Sequence, residues 1–61
     1  MMNIPKDPIM MLSFINTQLR DNYSDLDELS AAYDVEKGTI IEKLEGLGYH
    51  YNPENNQFVR V

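Results

Sequence analysis

Residues 25–48 contain two short helical patterns separated by a tight turn, and no other feature constrains the fold as strongly. Asp25 and Glu28 occupy the N-cap and N3 positions of a capping box, which begins a helix by satisfying free backbone N–H groups. The spacing predicts a helix over 25–33. Asp34 follows it, and Asp is among the residue types that tolerate the left-handed conformation of a tight turn.

The two helices of this stretch each have an apolar face. In the first, the small residues Ala31 and Ala32 would let a neighbouring helix approach closely. The second is predicted over 36–47 and stops at Gly48, a residue favoured just after a helix. The predicted inward residues are Leu26, Leu29, Ala32 and Tyr33 in the first helix, and Ile40, Ile41, Leu44 and Leu47 in the second.

A supporting helix is predicted before this pair, over 7–23. Asp7 is a good N-cap, and Pro8 suits the first helical position because its missing N–H would have no partner there. A short lead, residues 1–6, precedes this helix. At 100° per residue, one face of the helix carries the apolar stripe expected of a core side, namely Met11, Leu12, Ile15, Leu19 and Tyr23.

Met10 and Phe14 fall outside that stripe, on one flank of the first helix. One interpretation is that the lead or the C-terminal strand folds over them. The other is a contact patch for a protein partner or for a second copy in a homodimer, since Met and Phe are enriched at interface cores. Both interpretations remain open at this point.

The polar residues Ser13, Asn16, Thr17 and Arg20 are expected to face water. Arg20 is a candidate to pair with an acidic residue of the following helix, in a link that would be weak if exposed.

The C-terminal residues 49–61 predict a β-hairpin. Aromatic and branched residues form two short β-prone runs, and turn-forming residues separate them. Tyr51 opposite Phe58 is the predicted cross-strand pair. We therefore expect a single domain over residues 1–61 that is mainly α with a small β-hairpin, in which a three-helix helix-turn-helix core precedes a two-stranded wing.

The order of elements resembles winged helix-turn-helix domains, in which an L-x-E-L helix, a turn and a T-[VI]-x-x-x-L helix end in L-G-Y. Asp34 departs from the glycine that is usual at the turn. The matching residues are Leu26, Glu28, Leu29, Val35, Thr39, Ile40, Leu44, Leu47, Gly48 and Tyr49.

A second resemblance extends over nearly the whole chain. The sequence is similar to DUF4250, a family of short bacterial proteins of unknown function, and this resemblance implies no activity. Its first motif is carried by Asp7, Pro8, Met11, Leu12, Ser13, Asn16, Thr17, Leu19, Arg20, Asp21 and Tyr23, and its second by Gly48, Tyr49, Tyr51, Asn56, Gln57 and Phe58.

The charge balance bears on DNA binding, which the order of elements invites. Ten acidic residues against five basic ones give a net charge of −5. Nonspecific DNA affinity comes almost wholly from Lys and Arg that neutralise phosphates, so this balance disfavours nucleic acid. A DNA-binding regulator is kept as the alternative function, with Lys37, Thr39 and Lys43 of the third helix and Arg60 of the wing as the contacting residues. The main hypothesis is an acidic module that acts through protein contacts, which include self-association.

Catalytic and metal chemistry find little support in the residues. The chain has no Cys, and its one histidine, His50, has no nucleophile or second ligand at a suitable spacing. The acids near the second helix lack the glycine and terminal glutamate of a calcium loop. We expect no enzyme activity, no cofactor and no metal. The lead has one Lys and no long apolar run, which favours neither a secretory signal nor a membrane span and leads us to expect a cytoplasmic protein.

Overall fold

The computed structural model describes residues 4–61, so the expectation for the first half of the lead lies outside the described residues. The elements follow the predicted order, and three helices followed by an antiparallel hairpin confirm the predicted fold class. Helix α1 spans Pro8–Asp21, α2 spans Leu26–Tyr33 and α3 spans Lys37–Glu45, and the strands are β1, Tyr49–Asn52, and β2, Gln57–Arg60.

The N-termini of α1 and α2 are capped as the sequence predicts. The Asp7 carboxylate accepts a hydrogen bond from the Met10 N–H at 3.0 Å. The Asp25 carboxylate accepts one from the Glu28 N–H at 2.7 Å. The Glu28 carboxylate in turn accepts from the Ser24 N–H at 2.8 Å, one residue before the expected partner. These bonds satisfy N–H groups that would otherwise lack intrahelical acceptors.

The C-terminal ends of α1 and α3 fall two residues before those of the predicted ranges 7–23 and 36–47. Asn22 leaves the helical region, with φ −127° and ψ −22°, and this ends α1. After α3 the chain continues in turns until Gly48, whose φ of 87° is left-handed and favours glycine. The Gly48 N–H donates to the Glu45 carbonyl at 2.9 Å, which closes that turn.

Asp34 makes the tight turn between α2 and α3. Its φ of 56° and ψ of 47° are left-handed, as predicted. Its backbone N–H donates to the Ala31 carbonyl at 3.2 Å, and the next N–H, that of Val35, donates to the Ser30 carbonyl at 3.0 Å. Asp therefore serves at a position where Gly is the commoner residue.

The core is one cluster of buried side chains drawn from all three helices and from β2. Partly buried apolar residues surround it, among them Ile4 of the lead, Phe14 and Tyr33. The buried apolar residues are Met11, Ile15, Leu19, Leu26, Leu29, Ile40, Leu44 and Phe58.

The inner face of α2 differs from the predicted one. Ala31 and Ala32 are exposed, so the prediction that they line a helix contact is wrong. Ser30 is buried instead, and its hydroxyl donates to two α2 carbonyls at 3.0 and 3.1 Å. The reason is helical spacing, because Ser30 and Tyr33 lie four and seven residues after Leu26 and so share its face.

The hairpin packs against the helices. Tyr51 pairs with Phe58 as predicted, and their ring centroids lie 5.5 Å apart. Phe58 is only 2% exposed, so β2 contributes to the core. Asn16 of α1 hydrogen-bonds to the Phe58 backbone, and its predicted exposure to water is therefore wrong. A winged-helix arrangement is not confirmed.

Arg20 pairs within α1 and does not pair with α2 as predicted. Its guanidinium contacts the Asp21 carboxylate at 2.9 Å, and both side chains are well exposed. The hydrogen bond between them lowers the pKa of Asp21 and raises the pKa of Arg20. Arg20 therefore does not link α1 to α2, and Asp27 of α2 pairs instead with Lys37 of α3.

Candidate functional site

Met10 and Phe14 lie on one flank of α1, outside its buried stripe, as the helical spacing predicts. Met10 is 61% exposed. The Phe14 ring meets Tyr33 of α2 edge to face, with centroids 5.7 Å apart and an interplanar angle of 73°. The Phe14 ring is therefore covered in part by α2, and Pro5 of the lead lines the same surface, whereas Met10 is largely exposed.

An open groove of about 340 Å³ lies beside Phe14. Among residues 4–61, no charged side chain lines it. The groove and the exposed Met10 side chain together form a surface that we call the α1 face, which consists of Pro5, Met10, Ser13, Phe14, Thr17 and Gln18.

The Phe14 ring belongs to a row of three aromatic rings, which also includes Tyr33 and Tyr23. Tyr33 stands between Phe14 and Tyr23, and its ring centroid lies 6.0 Å from that of Tyr23. Burial is the main cause that raises the pKa of Tyr33, and the neighbouring Tyr23 acts in the same direction. The ring contact between Phe14 and Tyr33 packs this flank of α1 against α2.

Lys37, the first of the candidate DNA contacts, is in an ion pair. Its ammonium lies 2.7 Å from the Asp27 carboxylate of α2, and its side chain is 46% exposed. The hydrogen bond to Asp27 is the main cause that raises the pKa of Lys37, and the charge of Asp27 adds to it. A phosphate would have to compete with this carboxylate for Lys37.

The remaining DNA candidates do not form one surface with Lys37. Thr39 and Lys43 line a second groove, of about 320 Å³, which Lys6 of the lead also borders. Arg60 ends β2, where it pairs with Tyr49, and it lines neither groove. The structure thus brings two of the four candidates together.

In a chain without Cys, metal ligands would have to come from His50 and the acidic residues. His50 is exposed on β1, opposite Val59. Within residues 4–61, no three His, Asp or Glu side chains gather in a way that would hold a metal ion. No helix in the same range is both long and apolar enough to span a bilayer.

The side-chain amides of Asn16, Asn56 and Gln57 hydrogen-bond between the hairpin and α1, a role that the sequence did not predict. The Asn56 amide donates to the carbonyls of Leu19 at 2.9 Å and Tyr23 at 3.0 Å. The Gln57 amide donates to the Asn16 carbonyl at 2.9 Å. All three amide residues belong to the motifs that carry the family resemblance, and this was the available signal. Their contacts make them positioning residues.

The fold and surfaces define a small helical domain with a docked hairpin, grooves that residues of α1 help to line, and an acidic overall charge. The chain belongs to DUF4250, a domain-of-unknown-function family whose model matches residues 5–58. No curated protein and no solved structure matched the chain.

Proposed function

We propose that this chain is a non-enzymatic protein-interaction module that pairs with a second copy through the α1 face. The observation that carries the proposal is the presence of a protruding side chain and an uncharged groove on the same surface. Met10 is 61% exposed, and the groove beside Phe14 holds about 340 Å³.

A surface with both features is self-complementary. In a twofold pair, the same patch of each copy meets the other, so Met10 of one copy can enter the groove of its partner while the reverse contact forms. Ser13 and Thr17 are small and allow two α1 helices to approach closely. Because none of the described residues that line the groove is charged, such a contact buries no unpaired charge of theirs.

Area and charge set the strength of the pairing. A standard interface takes about 800 Å² from each partner, roughly a fifth of the 4181 Å² accessible surface of this chain. The contact must therefore extend beyond the groove, along the flank of α1 that carries Met10 and Phe14. Each copy also has a net charge of −5, so the copies repel one another and added salt should strengthen the pairing.

The test is sedimentation velocity on Met10→Glu beside a matched control, Ile9→Glu. Ile9 is the preceding residue and is 69% exposed, but it does not line the α1 face. We expect wild type and Ile9→Glu to shift from monomer to dimer as concentration rises. Met10→Glu should remain a folded monomer. A wild-type protein that is monomeric at millimolar concentration and at high salt contradicts the proposal, and so does equal loss of dimer in both variants.

A DNA-binding regulator remains the second candidate. Its support is that Thr39 and Lys43 are exposed on α3, and that Lys43 forms no salt bridge within residues 4–61. The ion pair of Lys37 with Asp27 and the net charge of −5 weigh against it. With so few usable cations, the salt dependence of binding would be shallow.

Fluorescence anisotropy with mixed genomic fragments at about 50 mM salt tests this candidate, since low salt maximises phosphate contacts. Binding that disappears in Lys37→Glu/Lys43→Glu would support DNA recognition by α3. No change in anisotropy would leave the protein-interaction module as the remaining proposal.

A further inference from the structure

The second groove lies between the lead, α1 and α3, and we call it the α1–α3 groove. Its volume is about 320 Å³. Apolar side chains supplied by α1, α3 and the turn before α3 form its floor, chiefly Met11, Ile40 and Val35. Val35 is 37% exposed, whereas Met11 and Ile40 are 5% and 2% exposed, so Val35 supplies most of the open apolar surface among these three residues.

Polar groups border the same groove. Lys6 of the lead and Lys43 of α3 both line it, and Thr39 contributes a hydroxyl. Within the part of the chain that the structure describes, no acidic side chain is among the lining residues. Two of the five basic residues of the chain therefore lie at one apolar groove in a protein whose net charge is −5.

Lys6 and Lys43 differ from two other basic residues, Arg20 and Lys37, in their ion pairing. Arg20 and Lys37 are each held by a carboxylate, at 2.9 and 2.7 Å. Within the described part of the chain, neither Lys6 nor Lys43 forms a salt bridge. Their ammonium groups are thus available to a ligand that brings its own negative charge.

We propose that the α1–α3 groove binds a small anionic amphiphile, meaning a carboxylate attached to an unbranched apolar chain. The apolar chain lies mainly on Val35, beside the nearly buried Met11 and Ile40. The carboxylate accepts hydrogen bonds from Lys6 and Lys43. Charge-assisted hydrogen bonds of this kind are shorter and stronger than neutral ones.

The size of the groove favours a small molecule over a peptide. Its volume of about 320 Å³ lies at the lower end of the 300–1,000 Å³ range typical of small-ligand pockets. A docked peptide needs a longer groove that takes several successive side chains. The inference does not depend on the proposed self-association, because Met10 and Phe14 do not line this groove.

The probe is sodium octanoate, titrated into ¹⁵N-labelled protein and followed by ¹H–¹⁵N correlation spectra. We expect saturable shifts centred on Met11, Val35, Thr39, Ile40 and Lys43. Hexanoate should bind more weakly, by up to about fourfold for each CH₂ removed from the apolar contact. Octylamine, which has the same chain and the opposite charge, should not bind.

The variants test the role of the lysines. Lys6→Gln/Lys43→Gln should weaken octanoate binding by about tenfold or more, the loss expected for a hydrogen bond to a charged group. Lys37→Gln removes the same charge from α3 outside the groove and should bind octanoate as wild type does. The dispersion of the amide signals verifies that each variant is folded.

Three results would overturn the assignment. The first is shifts that do not saturate or that spread over the whole chain. The second is an equal affinity of wild type and Lys6→Gln/Lys43→Gln. The third is binding of an acidic peptide rich in Glu and Leu where octanoate produces no shift, which would assign the groove to a protein partner.

Discussion

Asn16 of α1 binds both backbone polar groups of Phe58 on β2. Its Oδ1 accepts a hydrogen bond from the Phe58 N–H at 2.7 Å, and its Nδ2 donates to the Phe58 carbonyl at 3.0 Å. The two residues are 42 positions apart in the chain. One side chain thus replaces the neighbouring strand that this edge of the hairpin lacks, and it holds the Phe58 ring in the core.

Replacing this amide should loosen the hairpin. In Asn16→Ala the Phe58 N–H and carbonyl lose their partner, and we expect a loss of about 2 kcal/mol in the free energy of unfolding, since an unsatisfied buried group costs about 1–3 kcal/mol. Urea unfolding measures it. Gln18→Ala is the control, because the Gln18 side chain accepts an exposed bond from the Asn22 amide, and its backbone bonds remain in the variant. Equal losses in the two variants would show that the Asn16 bonds carry no particular weight.

Replacing Asn56 tests whether the stability of the hairpin turn depends on side-chain hydrogen bonds or on backbone conformation. Its φ is 54°, and its amide reaches α1 while its Oδ1 accepts from the Tyr51 hydroxyl at 2.6 Å. Asn56→Gly keeps the left-handed conformation and removes these bonds, so we expect a loss of about 1–3 kcal/mol. Asn55→Gly, at the exposed neighbouring position, should cost much less. A neutral Asn56→Gly would assign the role of this residue to its backbone alone.

The orientation of α3 and the cap of α2 make separate stability predictions. Leu44 is fully buried, and Leu44→Ala should cost about 2–5 kcal/mol through the cavity it leaves. Asp25→Ala should cost about 1 kcal/mol through loss of the cap. Chemical denaturation compares the two. Similar small losses would contradict the inward direction of Leu44.

The raised pKa of Tyr33 predicts that the folded protein loses stability at alkaline pH. Burial holds its folded-state pKa above the ordinary tyrosine value of about 10, so the folded protein binds this proton more tightly than the unfolded chain does. The resulting stability is fully present below about pH 10 and is lost as pH rises through the folded-state pKa. Melting temperatures of Tyr33→Phe, measured from neutral to alkaline pH, should fall less steeply than those of wild type. An unchanged slope, with Tyr49→Phe as comparison, would remove Tyr33 as the cause.

The local parts of the fold were predictable because their signals are local. Asp7 and Asp25 mark helix starts by a side chain that reaches an N–H three residues later. Asp34 tolerates the left-handed turn that it makes. The pairing of Tyr51 with Phe58 follows from two short runs close together in sequence. Each of these contacts joins residues that are near one another in the chain.

The long-range contacts could not be predicted in the same way. Helical periodicity placed Asn16 on a polar flank, but only the position of β2 shows that this flank is covered. Periodicity likewise set Met10 and Phe14 outside the core without showing that Tyr33 would cover one and leave the other exposed. For the DNA candidates, the sequence gave the lysines of α3 but not the carboxylate of Asp27 beside Lys37. In each case the missing information was the partner element.

The most direct test of the proposed pairing is a dilution series of ¹H–¹⁵N correlation spectra from millimolar to micromolar protein. Pairing through the α1 face predicts concentration-dependent shifts at its residues other than Pro5, which has no backbone N–H. Met10 and Phe14 should be among the largest, and Met10→Glu should show no such shifts. Spectra that do not change on dilution, or shifts centred on Ile9 and the hairpin, would contradict it.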